Sequence, residues 1–303
     1  MGGKKRGLIA AAVLLAAGAL LCGAALAAVG FDPGRLGTFN YVTNAYPVSG
    51  DFQHIVIRGD REKIALAPAE DGECRVVCRE EEKEKHVIQV ENGTLTVEST
   101  ARRRWFFVDF SFFAEGPSVT VYLPRAAFGT LTVEGSTGNV AIPADFSFDS
   151  IHVTLSTGSV DCRAASAGAM IVKTSTGGIR IAGVKCAGDV EVSVSTGGTM
   201  LENVTCQNLL STGSTGGLTL KNVIASGKFD LRRSTGSIRF ERCDAETILA
   251  KTSTGSVTGT LLTNKTFSAH SDTGQVEVPG GGSGGRCEIT TSTGGIRIGI
   301  ESR

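Results

Sequence analysis

A parallel β-solenoid preceded by one membrane-spanning helix is the fold class this chain predicts, all-β outside the helix. Three observations carry that expectation. The triplet Ser-Thr-Gly occurs in nine copies, with threonines at Thr137, Thr157, Thr176, Thr196, Thr215, Thr235, Thr254, Thr273 and Thr293, spaced 19 or 20 residues apart. A fixed period of this size marks stacked repeats. Apolar residues also stand at fixed offsets from each threonine. Finally, an uncharged run from Gly7 to Phe31 follows Lys4, Lys5 and Arg6.

Taken in chain order, residues 1–6 read as a cytoplasmic N-terminus and 7–31 as a transmembrane signal anchor, because the run is long enough to cross a bilayer. Basic residues ahead of the span place the remainder outside the cytoplasm, as a single-pass protein of the cell membrane. A competing reading takes Ala25-Leu26-Ala27 as a signal-peptidase site that would release the protein. A lipoprotein reading of Cys22 is weaker, since Leu21 is a poor residue before a lipidated cysteine. Residues 32–37 are a linker.

Residues 38–130 lack the triplet yet keep the strand signal, in Phe52 to Ile57, Thr94 to Val97 and Ser118 to Pro124. They are expected to be degenerate coils and a cap continuous with the solenoid, with a separate small β-domain as the alternative. Glu80 to Lys85 reads as a solvated charged loop.

The regular repeats occupy 131–303. Six residues before each threonine stand Leu131, Ile151, Met170, Val190, Leu209, Phe229, Ile248, Phe267 and Cys287, and polar residues such as His152, Glu191 and Asp230 follow. That is the two-residue alternation of a strand with one buried face. A second strand begins three residues after the threonine, at Val140, Val160 and Ile179 among others, with a further apolar position eight after it at Val184, Val204, Val223, Cys243 and Leu262. Each coil is therefore strand, Ser-Thr-Gly turn, strand, and a bend to the next coil. Glycine supplies the positive φ of a tight corner. Asp272 replaces serine in the eighth copy as a permitted turn variant.

Lys+Arg and Asp+Glu both number 30, so no global field draws the chain to nucleic acid. Its eight cysteines would ordinarily suggest disulfides in an exported protein. Cys186 and Cys206, however, fill a small apolar slot shared with Ala225 and Ala245. A bridge between them, or between Cys74 and Cys78, is geometrically open. No spacing resembles a zinc site.

Val119-Thr120-Val121-Tyr122-Leu123-Pro124, leading into Ser-Thr-Gly turns such as Lys251 to Val257 and Thr291 to Ile296, resembles a bacterial domain-of-unknown-function family labelled putative adhesin. The similarity covers most of the chain after about residue 40. It implies a membrane-anchored β-repeat protein of the cell envelope in Gram-positive bacteria, in some cases encoded near envelope-stress systems. The family has no catalytic or ligand residues to carry over.

The triplet ladder reads as a structural turn, with a sugar-, water- or ice-binding strip as the alternative. For ice, Thr174/Thr176, Thr252/Thr254 and Thr291/Thr293 fit a Thr-x-Thr row that Arg233 and Val194 break. Arg102, Arg103, Arg104, Trp105, Phe106 and Phe107 are a candidate partner-contact patch, against the plainer reading of an end cap. Asp161, Glu191, Asp230 and Glu277 lie on scattered coils, and His54, His86, His152 and His270 show no partner pattern. No catalytic site, metal or cofactor is expected.

The expected function is a non-catalytic surface interaction or adhesion scaffold. Its partner would be an envelope protein or a cell-wall glycan, with membrane contact through the helix and no nucleic acid. The alternatives are an accessory of envelope-stress signalling and, less favoured, a glycan-active enzyme. Because the coil ending at Ile300 is expected to lack a neighbour, end-to-end self-association is a further expectation.

Overall fold

The computed structural model describes residues 2–28, 30–31, 41–100, 116–280, 282 and 284–301. Its N-terminal helix, α1 (Gly2–Ala28), contains an apolar stretch Ala11–Ala28 long enough to cross a membrane. Val13, Leu14, Leu15, Leu20 and Leu21 lie exposed along it. Most of the rest is a parallel β-solenoid.

The coil built on Thr196 shows why these residues form it. Val190–Thr196 buries Val190, Val192 and Val194 and exposes the corner Ser195-Thr196. The next strand, Thr199–Cys206, buries Thr199 and Leu201, then Val204 and Cys206. Buried positions change parity between Leu201 and Val204, and Asn203 stands at that break with φ 53°. Gly183, Asn222 and Arg242 take the same left-handed conformation at the matching place. The second strand is therefore folded by a second corner, and each such coil has three sides. Alternation alone did not show that bend, although Gly183, Asn203 and Asn222 in that column are residues that tolerate positive φ; Arg242 is the exception.

Successive coils keep parallel register column by column, as in Val192↔Ser211, Ser211↔Leu231 and Leu231↔Ala250. The small slot also holds, since Cys206 pairs with Ala225 and Ala167 with Cys186. Toward the N-terminal end the same column carries Phe148 and Phe128, whose rings lie 5.9 Å apart between centroids. All eight cysteines are free thiols, so neither Cys186–Cys206 nor Cys74–Cys78 is bridged. One column is displaced from expectation. Gly259, at φ 134°, shifts the register so that Leu261, not Leu262, pairs with Cys243 and is buried.

Both ends depart from sequential stacking. At the C-terminal end Thr247–Thr254 pairs with Arg286–Thr293, which pairs in turn with Thr266–Ser271. The last coil in sequence is thus sandwiched between the two that precede it. This corrects the expectation that the coil ending at Ile300 lacks a neighbour: among the described residues, the end coil is that of Asp272. The glycine tract before Arg286 permits the crossing. A Cβ on Gly282 would stand 1.9 Å from the Lys265 carbonyl oxygen, and one on Gly285 1.8 Å from that of Glu246.

The N-terminal end uses the same device. Strands β1 (Tyr41–Pro47), β2 (His54–Gly59), β3 (Lys63–Pro68), β4 (Arg75–Glu81), β5 (His86–Glu91), β6 (Thr94–Ser99) and β7 (Ser118–Leu123) precede the regular coils. The coil of β2 and β3 lies between that of β6 and β7 and the first triplet coil, Ala127–Thr137 with Val140–Ile142. Here, however, strand direction then reverses: β4 adds antiparallel to β7, β1 to β4, and β5 to β6.

Candidate binding surface

The Ser-Thr-Gly corner forms a continuous ridge. From Gly138 to Gly236 each triplet glycine N–H donates to the threonine carbonyl of the following coil, as from Gly158 to Thr176 and from Gly216 to Thr235, both at 2.8 Å. Gly255 donates to Thr293 and passes over Thr273, as the crossed end requires. Glycine is needed here twice over. Its φ is 128–152° at the six consecutive corners from Gly158 to Gly255, and a Cβ on Gly158 would lie 1.8 Å from the Gly138 oxygen. The serine and threonine side chains stay exposed on the crest. The alternation continues inward just before the crest, so Thr174, Thr252 and Thr291 are buried. Thr252 and Thr291 donate to the carbonyls of Gly236 and Gly255, at 2.9 and 2.8 Å. The Thr-x-Thr pairs therefore point opposite ways and build no flat outward row.

A trough runs on each side of the ridge. On one flank, where Gly178, Gly198 and Gly217 follow the corner glycines, an open trough of about 580 Å³ is bordered by Arg180 and Met200. On the other, a groove of about 440 Å³ is lined by Ser195, Ser214, Ser234 and Ser253 beside Arg232 and Lys251. Under its floor lies Arg233, 3% exposed, occupying the space that Gly213 leaves empty. It donates to Ser211 Oγ at 2.9 Å and to the Arg232 carbonyl at 2.8 Å. Burial without a carboxylate pulls its pKa down to about 10.

The outward carboxylates are engaged in ion pairs along the faces. Asp161 pairs with Arg163, Glu191 with Lys173, Asp230 with Arg232 and Glu277 with Arg297, all at 2.8–2.9 Å. The structure brings no two of these four together. Arg102, Arg103, Arg104, Trp105, Phe106 and Phe107 lie outside the described residues.

A second site sits where strand direction reverses. Glu80, expected in a solvated loop, is instead buried. It follows Val76 and Cys78 on the inward face of β4, and that alternation is the signal sequence reasoning passed over. Its Oε1 accepts from Asn44 Nδ2 (2.7 Å) and Tyr46 Oη (2.5 Å), and its Oε2 from the His86 backbone N–H at 2.6 Å and ring Nδ1 at 2.7 Å. His86, expected to have no partner pattern, thus has Glu80 on one ring nitrogen and Glu62 Oε1 at 3.6 Å from the other. Burial works to lower the His86 pKa, but Cys78, Glu62 and Glu80 outweigh it and push it up to about 10. Burial likewise works to raise Glu62, but hydrogen bonding to His86 and to backbone holds its carboxyl below the usual range.

This three-sided coil with its corner ridge defines a class of stacked β-repeat proteins. The chain belongs to the Toastrack DUF4097 family, which matches residues 52–298. Among solved structures, it is similar to a putative adhesin from Bacteroides fragilis (14% identity, 86% of this chain and 97% of that one, TM-score 0.48). A putative adhesin from Parabacteroides distasonis is comparable (12% identity, 86% and 98%, TM-score 0.48). No curated protein matches the chain.

Proposed function

We propose that this protein is a non-catalytic adhesion scaffold of the cell envelope, held by α1 in the membrane with the solenoid outside, and that it binds a cell-wall glycan. The observation that carries this reading is the groove where Ser195, Ser214, Ser234 and Ser253 stand in line beside Arg232 and Lys251. Hydroxyls at strand spacing, about 4.8 Å, can meet sugar hydroxyls along a polymer; Arg232 is paired with Asp230, so Lys251 is the cation that favours an acidic glycan. Supporting the anchor, the Ala11–Ala28 stretch of α1 is apolar all round, and its large side chains are uncovered by the described residues. The solved structures described as putative adhesins are consistent with this role.

The test is binding of full-length protein in detergent to purified wall glycan, with and without its anionic groups. Saturable binding should weaken at least tenfold in the doubly substituted Arg232→Ala/Lys251→Ala chain. Undiminished binding by that chain would sink the groove assignment, and no binding by the parent would sink the glycan reading. Arg102–Phe107 remains the proposed contact for a protein partner. Alanine replacement there should abolish recovery of an envelope protein while leaving glycan binding unchanged.

A further inference from the structure

We propose that the trough floored by Gly178, Gly198 and Gly217 binds a linear polyanion, whose phosphate or carboxylate oxygens take three places that serine hydroxyls fill in other coils. This reading does not rest on the serine-lined groove across the ridge. Two residues after the triplet threonine, the side chain of one coil accepts from the backbone of the next. The Ser159 N–H donates to Asn139 Oδ1 at 2.8 Å, that of Gly178 to Ser159 Oγ at 3.3 Å, and that of Ser256 to Ser237 Oγ at 3.2 Å. The three glycines interrupt this row. In register with them on the next coils, the N–H groups of Gly198, Gly217 and Ser237 meet a position with no side chain and have no acceptor among the described residues. All three residues are exposed.

The backbone does not ask for glycine on this floor. None of the three has a positive φ, and an added Cβ would meet its nearest atom at 3.7, 4.0 and 3.4 Å, ordinary contact distances. Glycine costs chain entropy that serine would spare, so folding alone favours serine here. A second observation lies apart from the glycines. Thr199 lines the trough and is 2% exposed, yet its Oγ1 has no hydrogen-bond partner, and Arg180 in the same lining has a buried Nε in the same state. These are two of the four buried side-chain atoms without a partner among the described residues. Leaving such groups unpaired costs free energy that a polar ligand relieves.

Charge selects the ligand class. Every unpaired backbone group in the row is a donor, and rows of N–H groups receive anions. Arg180 and Lys221 both pair with Glu202, at 2.9 and 3.1 Å, which leaves one positive charge unbalanced at the wall. Asp161, the carboxylate in the lining, is neutralised by Arg163. Successive coils rise about 4.8 Å, so the niches are reached together by an extended chain rather than by a single ion. Met200, exposed in the same lining, offers an apolar contact to the carbon skeleton of that chain.

The experiment titrates the full chain in detergent with poly(glycerol phosphate) and with polygalacturonate. The chain carries Arg232→Ala/Lys251→Ala, so that the opposite groove contributes nothing. Saturable, salt-sensitive binding of at least one polymer is expected, and which one binds separates phosphate from carboxylate. Adding Gly178→Ser, Gly198→Ser and Gly217→Ser supplies the missing hydroxyls and should weaken binding at least about tenfold, with a denaturation midpoint no lower than before. Gly198→Ser alone should cost about threefold, which keeps the test decisive if the triple substitution misfolds. Gly295→Ser, at the equivalent place in a distant coil where the N–H already donates to Ser256 Oγ, should leave binding unchanged. If the chain binds neither polymer, or binds as tightly after the glycine-to-serine changes, the proposal fails and the niches hold water alone.

Discussion

The two ends of the solenoid solve one problem differently. At both, one coil is tucked between two others out of sequence order. At the N-terminal end the stack is then closed by antiparallel strands, and Glu80, His86, Asn44 and Tyr46 satisfy one another inside that reversal. At the C-terminal end no strand among the described residues pairs with the outer edge of Thr266–Ser271, whose side chains alternate between exposed and half-buried. Its defences are local: a His270–Asp272 pair at 3.0 Å and the nearly buried Lys265, 2.8 Å from Asp244. Capping a parallel stack needs a change of strand direction, which brings polar groups into the interior. Leaving it open needs only an edge unattractive to other strands.

Truncation should separate the ends most sharply. A chain ending after Val278 keeps Thr266–Ser271 but removes the coil on which it rests. That segment should lose hydrogen-exchange protection altogether, whereas a chain ending after Leu262 should retain protection up to Thr254. Equal protection of Thr266–Ser271 in the shorter and full-length chains would refute the crossed order.

Core substitutions give the next largest contrast. Phe146 is fully buried in the aromatic cluster near the capped end, and Phe267 only partly packed at the open one. Phe146→Ala should cost about 3–5 kcal/mol in chemical denaturation, and Phe267→Ala less than half of that. Charged pairs should follow the same pattern. Glu80→Ala removes one member of a buried, hydrogen-bonded set and should cost about 3–5 kcal/mol. Asp272→Ala touches an exposed pair and should stay within about 0.5 kcal/mol. Comparable losses in any of these pairs would mean that the two ends are packed alike.

The smallest effect at neutral pH concerns thiols. Burial pushes Cys287, in the crossed C-terminal coil, up to about 12 from 9.0, and Cys74, in the N-terminal cap, up to about 11. Their folded pKa values lie above the unfolded one, so the stability they contribute is full below pH 9 and is lost as pH rises toward 11–12. Unfolding midpoints should fall above pH 9. In the native protein, half-buried Cys74 should react with a thiol reagent before Cys287, which should react only on unfolding.

The columns at fixed distances from each threonine made the buried face legible, as did the corner glycines and the small slot of Cys186 and Cys206. Other features left weaker traces. Gly183, Asn203 and Asn222 in one column are turn residues that bend the second strand, a signal masked by Arg242 in the same place. The groove of Arg232 and Lys251 joins neighbouring coils, so no single repeat displays it. Glu80 looked like surface because it opens a charged run, although its place after Val76 and Cys78 carried the opposite message.

By itself the sequence determined the solenoid, its corner and its membrane-length helix, because alternation and a 19–20-residue period act between residues at set separations. Tertiary structure decided which coil lies beside which. The order follows from what the connections can reach and how closely backbones may pass, as at Gly282 and Gly285. The same long-range placement set Glu62 against His86, 24 residues apart in the chain, in the one corner where strands turn back.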